Sequence, residues 1–129
     1  MQNLLPFLMF EGRAGEAMAF YVDLFGGRVI SDMRYGPGQP GAEGSVMQAV
    51  FEIKGTQVRC IDSPVKHAFG MTPAVSLFIN CDDEAEIDRL FAALSDGGEA
   101  RMSLGNYGFS RKFGWTDDRF GVSWQLNLA

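Results

Sequence analysis

The feature that most constrains the fold is an order of predicted elements that occurs twice in the chain. Each half begins with an apolar strand, continues with an amphipathic helix that ends at a Gly-Gly pair, and closes with three further strands. The second glycines of the two pairs, Gly27 and Gly98, are 71 positions apart, and the same offset places Phe7 on Phe78. Few residues are identical between the halves, so the order of elements, rather than sequence similarity, indicates a βαβββ repeat.

The spacing of apolar residues sets the predicted bounds of these elements. In the first half, strands are predicted at residues 4–10, 28–34, 45–53 and 56–62, and a helix at residues 13–25. In the second half, strands are predicted at residues 73–81, 99–104, 113–116 and 122–128, and a helix begins at a capping box from Asp83 to Glu86. We predict one α+β domain, residues 1–129, with two βαβββ modules (1–62 and 73–129) and a connector (63–72). The modules are expected to form curled mixed sheets with the helices outside.

Charge and cysteine content narrow the function classes. Eleven basic and sixteen acidic residues give a net charge of −5, and the basic residues do not cluster, which argues against a nucleic-acid-binding protein. Cys60 and Cys81 lie in apolar predicted strands, as expected for buried, reduced cysteines of an intracellular protein. The opening MQNLLPFLMF lacks the basic region of a signal peptide and is too short for a membrane span. We therefore expect a cytoplasmic protein that binds no membrane.

The last predicted strand has one apolar and one polar face. Its apolar residues alternate with Ser123, Gln125 and Asn127, and successive side chains of a strand point to opposite faces. Such a polar face lies either against water or against a ligand.

The repeated order and three stretches of sequence resemble one known family. PFLMFEGRAGEAMAFYVDLFGG, AVSLFINCDDEAEIDRLFAAL and NYGFSRKFGWTDDRFGVSWQLNL are similar to the PhnB-like branch of the vicinal oxygen chelate superfamily, which includes glyoxalase I, extradiol dioxygenases and bleomycin resistance proteins. The resemblance implies a glyoxalase-like fold and a homodimer whose pockets are completed across subunits. Such sequences are often labelled demethylubiquinone methyltransferase. However, no glycine-rich turn leads from a predicted strand into a helix here, as the usual S-adenosylmethionine site requires.

Enzymes of this superfamily usually hold a divalent metal with residues from the first, fourth, fifth and eighth strands. The resemblance places these positions on Pro6, on Arg59 or Cys60 according to a register that the sequence leaves open, on Ser76 and on Gln125. Proline and arginine side chains offer no metal-binding atom, and a neutral hydroxyl is a weak ligand. Because Gln125 is the only metal ligand that remains, we expect neither a metal nor another cofactor.

Strand alternation predicts which side chains face inward, away from the helices. The predicted inward-facing residues are Pro6, Leu8, Phe10, Ser76, Phe78, Asn80, Ser123, Gln125 and Asn127. Apolar groups with a few neutral polar ones are the usual lining of a small-molecule site. For Arg59 we favour an outward, surface orientation, since burying an unpaired charge costs several kcal/mol. An inward Arg59 would require an anionic ligand or a carboxylate partner.

The sequence YGFSRKFGW, residues 107–115, combines aromatic and cationic side chains. Its rings either clamp a planar ligand at the mouth of a cavity or belong to the core. The candidate ligand-binding residues are therefore Arg59, Cys60, Ser76, Phe78, Tyr107, Trp115 and Gln125. The single histidine, His67, lies in the connector, where we expect it to face solvent, and nothing in the sequence places it beside a nucleophile.

Three hypotheses about function follow. The first is a homodimeric, PhnB-like small-molecule-binding protein that has no metal and no assigned catalysis. The second is a metal-dependent lyase, isomerase or dioxygenase in which Cys60, Ser76 and Gln125 converge under a different register. The third, which we disfavour, is the methyltransferase that the family label names. The identity of the ligand, and whether the protein is an enzyme, are left open by the sequence.

Overall fold

The structure, a computed structural model, describes residues 2–129. The chain divides into two compact units, an N-terminal unit that reaches to Ala68 and a C-terminal unit, Phe69–Ala129. This division falls inside the predicted connector. Each unit contains one four-stranded sheet and one helix, so the predicted α+β class with a βαβββ plan used twice is confirmed.

The N-terminal unit consists of β1 (Phe7–Phe10), α1 (Ala14–Phe25), β2 (Arg28–Arg34), β3 (Val46–Ile53) and β4 (Thr56–Asp62). Its strand order is β1-β4-β3-β2, with β1 parallel to β4 and the other pairs antiparallel. β1 begins later than predicted because Pro6, which has no N–H, precedes it. The Pro6 carbonyl instead accepts a hydrogen bond from the Arg59 N–H at 2.9 Å.

The C-terminal unit repeats this plan with β5 (Leu77–Asn80), α2 (Glu84–Ser95), β6 (Glu99–Gly105), β7 (Lys112–Asp117) and β8 (Ser123–Leu128). Its strand order is β5-β8-β7-β6, and β5 is parallel to β8. β5 is shorter than predicted because a turn precedes it, in which the Val75 N–H donates to the Thr72 carbonyl at 3.3 Å. Within residues 2–129, no helix combines the length and apolar character needed to cross a membrane.

Each helix covers one face of its own sheet, which we call the helix face. α1 buries Ala14, Ala17, Met18 and Tyr21. The Tyr21 ring stacks on Phe51 of β3 with their centroids 5.9 Å apart. In the C-terminal unit, the buried apolar residues of α2 and β8 are Ile87, Leu90, Leu94, Trp124, Leu126 and Leu128. Removing this apolar surface from water is the main stabilising contribution in both units.

The second glycine of each Gly-Gly pair lies against the backbone of a neighbouring strand. A Cβ atom at Gly27 would overlap the carbonyl oxygen of Glu52, and one at Gly98 would overlap the carbonyl oxygen of Asp117. The two pairs thus have equivalent surroundings, which supports the repeat inferred from their spacing.

The first helix is capped from a distant strand. Asp62, at the end of β4, is 3 % exposed. Its Oδ1 accepts hydrogen bonds from the N–H groups of Gly12 at 2.7 Å and Ala14 at 2.9 Å, and its Oδ2 accepts one from the Val46 N–H at 2.9 Å. One buried carboxylate therefore joins the start of α1 to β3 and β4.

The second helix is capped locally. Asp83 Oδ1 accepts a hydrogen bond from the Glu86 N–H at 2.8 Å, and Glu86 Oε1 accepts one from the Asp82 N–H at 2.8 Å. The predicted capping box is confirmed, with the return bond made one residue before the N-cap.

We call the face of each sheet opposite its helix the far face. The pairing of β1 with β4 shows which β1 side chains lie on each face. Cross-strand partners share a face, and Leu8 is the partner of Cys60 while Phe10 is the partner of Asp62. Cys60 is 1 % exposed and Asp62 binds the start of α1, so this is the helix face. The prediction that Leu8 and Phe10 point away from the helix is wrong.

Candidate functional site

The centre of the candidate site is Gln125, on the far face of the C-terminal unit. Its partner on β5 is Phe78 and its partner on β7 is Trp115, so an aromatic side chain lies on each side of the amide. Phe78 is 54 % exposed, and Gln125 and Trp115 are partly exposed. The predicted alternation of β5 and β8 is confirmed by this register.

Three hydrogen bonds between uncharged side chains extend across this face. They run from Gln125 Nε2 to Ser76 Oγ (2.9 Å), from Trp115 Nε1 to Ser123 Oγ (2.7 Å) and from Asn127 Nδ2 to Asn80 Oδ1 (3.3 Å). Within the part of the chain that the structure describes, the Gln125 side-chain oxygen has no hydrogen-bond partner. A ligand with an N–H or O–H group therefore finds an oriented acceptor there.

An aromatic cluster lies beside this polar row. The ring of Phe113, which is buried, has its centroid 6.4 Å from that of Phe78, 6.2 Å from that of Tyr107 and 5.0 Å from that of Phe109. Tyr107 and Phe109 are 45 % and 64 % exposed, and the Tyr107 hydroxyl donates to the Ser103 carbonyl at 2.5 Å. Of the two alternatives for residues 107–115, Phe113 belongs to the core, whereas Tyr107 and Phe109 present their rings at the surface.

Two residues that the sequence does not single out complete the surroundings of Trp115. The Arg101 guanidinium carbon is 5.8 Å from the centroid of the Trp115 ring, and Arg101 pairs with Asp117 at 2.7 Å. The hydrogen bond that Arg101 donates to Asp117 raises the pKa of Arg101. A register shift between Ala100 and Met102 interrupts the alternation of β6, so strand parity does not predict this placement of Arg101.

Pairing with β1 settles the register of β4. Arg59 is the partner of Phe7 and lies on the far face, with its guanidinium carbon 5.5 Å from the Phe7 centroid. This corrects the outward orientation that we favour from the sequence. Arg59 is partly exposed, so the penalty for fully burying a charge, on which that preference rests, does not arise.

Cys60 lies on the opposite face from Arg59. Its partners are Leu8 and Ala49, it is buried, and it packs in the core of the N-terminal unit, so the structure places it outside the candidate site. Burial raises the pKa of the Cys60 thiol to about 11, and the negative charges of Asp62 and Asp32 act in the same direction. A neutral, buried thiol is a poor nucleophile and a poor metal ligand.

The residues at the superfamily's metal positions do not fit a divalent ion. Pro6 has no donor atom, and Arg59 is cationic and lies where a ligand would be needed. Ser76 Oγ accepts the Gln125 amide hydrogen, which leaves one neutral amide oxygen. Among residues 2–129, no group of three or more His, Cys, Asp or Glu side chains is arranged to hold a metal.

The surroundings of S-adenosylmethionine in a typical methyltransferase are also not reproduced. The glycine-rich segment 36–44 connects β2 to β3 and does not lead into a helix. The amides at the start of α1 and α2 already donate to Asp62 and Asp83. A carboxylate of the chain therefore already lies at each helix N-terminus, and its negative charge disfavours an anionic part of a cofactor there.

His67 contacts Ser63, an arrangement that the sequence does not predict. Its Nε2 is 2.9 Å from Ser63 Oγ, and its backbone N–H donates to Glu11 Oε2 at 3.3 Å. Ser63 Oγ also donates to the Val65 carbonyl at 2.8 Å. These contacts stabilise the segment that follows β4.

Comparisons with known proteins identify relatives over almost the whole chain. A family model described as 3-demethylubiquinone-9 3-methyltransferase matches residues 2–127. A Bacillus cereus protein described as a putative 3-demethylubiquinone-9 3-methyltransferase, PhnB protein, is 50% identical, with a TM-score of 0.96 over 99% of this chain and 100% of that chain. Protein PA1353 from Pseudomonas aeruginosa is 30% identical, with a TM-score of 0.87 over 99% of this chain and 98% of that chain.

A third solved structure shares the fold alone. The fosfomycin resistance protein FosX from Listeria monocytogenes, solved with Mn(II) and 1S,2S-dihydroxypropylphosphonic acid, is 14% identical, with a TM-score of 0.69 over 98% of this chain and 92% of that chain.

Proposed function

Because this chain belongs to the PhnB-like family described as 3-demethylubiquinone-9 3-methyltransferase, we propose that it binds a small molecule and holds it without a metal. The ligand lies on the far face of the C-terminal unit. The observation that carries this proposal is the position of Gln125 between Phe78 and Trp115.

The chemistry of this face favours a planar aromatic ligand with an amide or hydroxyl group. The exposed rings of Phe78 and Tyr107 offer flat apolar surfaces, and aromatic pairs gain about 0.5–1.5 kcal/mol beyond the burial of their area. The Gln125 oxygen accepts the hydrogen bond of the ligand. Asp117 is paired with Arg101, so the face presents mainly neutral hydrogen-bonding groups.

We also propose a homodimer, which the family resemblance implies. Large apolar side chains remain exposed on β2, the edge strand of the N-terminal unit, including Met33 at 52 % and Val29 at 45 %, as expected of a surface that another molecule covers. Light scattering of purified protein is expected to give twice the mass of one chain. A monomer at micromolar concentration would contradict this.

Binding can be tested with 2-naphthamide, a flat aromatic amide, through the two tryptophan indole resonances in ¹H–¹⁵N spectra. The chain contains two tryptophans. Trp115 borders the proposed site, whereas Trp124 is 2 % exposed and donates through Nε1 to Asp118 at 2.9 Å. We expect the Trp115 resonance to move and saturate with a dissociation constant below about 1 mM, while the Trp124 resonance stays in place.

Two matched variants assign this shift to the site. Gln125→Ala removes the acceptor and is expected to weaken binding about tenfold, as the loss of one hydrogen bond does. Gln57→Ala removes an exposed strand glutamine of the other unit and is expected to change nothing. An unmoved Trp115 resonance at saturating probe, or equal losses in the two variants, would contradict the proposed site.

The methyltransferase description of the family supports a second candidate function. It requires S-adenosylmethionine, whose binding is disfavoured at helix N-termini where Asp62 and Asp83 already lie. Calorimetric titration with S-adenosylmethionine is expected to give no binding. Stoichiometric binding would favour methyl transfer over the proposal made here.

A further inference from the structure

The far face of the N-terminal unit carries a cation that lacks a counter-charge. Arg59 lies on β4, an interior strand of the sheet, between its partners Phe7 on β1 and Val50 on β3. Its guanidinium lies over the Phe7 ring, with the guanidinium carbon 5.5 Å from the ring centroid. Within residues 2–129, the Arg59 guanidinium forms neither a hydrogen bond nor an ion pair.

Five other arginines of the chain differ in this respect. Carboxylate partners are found for Arg13, Arg28, Arg34, Arg101 and Arg119. The nearest comparison is Arg28, on the same sheet, which pairs with Glu52 at 3.3 Å. Glu52 is the cross-strand partner of Gln57, which shares the far face with Arg59, so the Glu52 carboxylate also lies on this face. Its negative charge is already paired with Arg28.

An unpaired guanidinium held among apolar neighbours is prepared for an anion. It presents a planar fork of N–H donors that matches the oxygens of a carboxylate or phosphate, and its partial removal from water strengthens the attraction. The contact with Phe7 limits the orientations of the side chain. Phe7 and Met9 are exposed beside it, at 56 % and 41 %, so an apolar surface adjoins the charge.

The internal repeat relates the position of Arg59 to that of Gln125. Phe7 and Arg59 are cross-strand partners in the first unit, as Phe78 and Gln125 are in the second. Arg59 therefore occupies the position equivalent to Gln125. The family resemblance places a metal-ligand position on β4, and at this position the chain has an arginine, whose side chain is positively charged.

We propose that the far face of the N-terminal unit binds the oxyanion of an amphiphilic ligand, with Arg59 donating hydrogen bonds to the oxyanion and Phe7 and Met9 contacting the apolar part. The oxyanion is a carboxylate, a phosphate or a phosphonate, which share the pair of acceptor oxygens that the guanidinium recognises. This site lies in a different unit from the Gln125 site and does not depend on it.

The test compares two probes of nearly equal shape, 2-naphthoate and 2-naphthamide, by calorimetry and by the Trp115 resonance. Arg59→Met removes the charge but keeps an unbranched apolar side chain, and it is expected to weaken 2-naphthoate binding at least about tenfold. Arg59→Lys keeps the charge without the fork and is expected to lose less. Arg13→Met removes an arginine that pairs with Glu16 at the start of α1. It is the control for the loss of one positive charge and is expected to bind 2-naphthoate as the unmodified protein does.

The outcomes separate this site from the Gln125 site. Unchanged 2-naphthoate affinity in Arg59→Met, an equal loss in Arg13→Met, or no binding of 2-naphthoate to the unmodified protein at about 1 mM would each overturn the anion site. The response of Trp115 to 2-naphthamide decides the Gln125 site by itself and is expected to be the same in Arg59→Met. Naphthyl phosphate in place of 2-naphthoate shows whether a tetrahedral or a planar oxyanion binds more tightly. Thermal unfolding of each variant verifies that it is folded.

Discussion

The two units have the same strand order, the same helix position and equivalent Gly-Gly pairs, yet their far faces differ in chemistry. In the N-terminal unit, Arg59 lies beside Phe7 with no counter-charge among the described residues. In the C-terminal unit, the equivalent Gln125 is hydrogen-bonded to Ser76 and flanked by aromatic residues. The two units therefore place a side chain at the same position of the sheet, but the side chain is charged in one unit and neutral in the other, so the two positions suit different ligands.

The helix faces differ in a complementary way. Cys60 of β4 faces Ala49 of β3, whereas at the equivalent place Leu126 of β8 faces Gly114 of β7. A larger side chain on one strand is thus accompanied by a smaller one on its partner. Packing density inside proteins is nearly constant, so the two cores reach it with different residues.

The largest expected effect concerns the two ways of capping a helix. Asp62→Ala leaves three backbone N–H groups, those of Gly12, Ala14 and Val46, without their acceptor, and we expect the free energy of unfolding to fall by about 3–5 kcal/mol. Asp83→Ala removes a local cap and is expected to cost about 1 kcal/mol. Urea denaturation measures both, and equal losses would remove the distinction between the units.

A second test makes the two cores more alike. Gly114→Ala would place a Cβ 2.6 Å from Phe91 Cε2 and 2.8 Å from Leu104 Cδ2, and we expect a loss of about 1–3 kcal/mol from overpacking. The reciprocal change, Ala49→Gly, is expected to cost roughly 0.5–1 kcal/mol through backbone entropy. Thermal unfolding checks both, and a neutral Gly114→Ala would show that α2 shifts freely to admit the methyl group.

The smallest effect is a pH dependence confined to the N-terminal core. The pKa of Cys60 is raised from 9.0 to about 11 in the folded protein, so the unfolded chain loses this proton first. The contribution of the thiol to stability is complete below pH 9 and declines as the pH rises towards 11. At pH 10 the decline is about 1.4 kcal/mol. Unfolding of Cys60→Ala between these pH values is expected to show a shallower slope, and identical slopes would count against a buried thiol as the cause.

Sequence patterns predicted the elements that carry local signals. The capping box at Asp83 and the polar alternation of residues 123–127 correctly located the start of α2 and the far face of β8. The apolar run before Phe10 does not alternate with polar residues, so the sequence does not show which side chains face the helix. The prediction therefore assigned Leu8 and Phe10 of β1 to the wrong face. Only its pairing with β4 distinguishes Arg59 from Cys60.

Contacts between residues distant in sequence were beyond prediction. Asp62 lies 48 positions from Ala14, whose N–H it binds, and no local pattern connects the two. The shift in register on β6 similarly brings Arg101 to Trp115. Such placements depend on how the strands pair, which a single sequence does not reveal.

The two glycines that end α1 are glycines for different reasons, and random mutagenesis would separate them. Gly26 has a φ of 66° with open space around its Cβ position, so it is selected for conformation, and asparagine, which tolerates this region, is the expected replacement. Gly27 lies against the carbonyl of Glu52 and is selected for volume. A library randomised at both positions and screened for folded protein is therefore expected to recover several residues at position 26 and glycine alone at position 27.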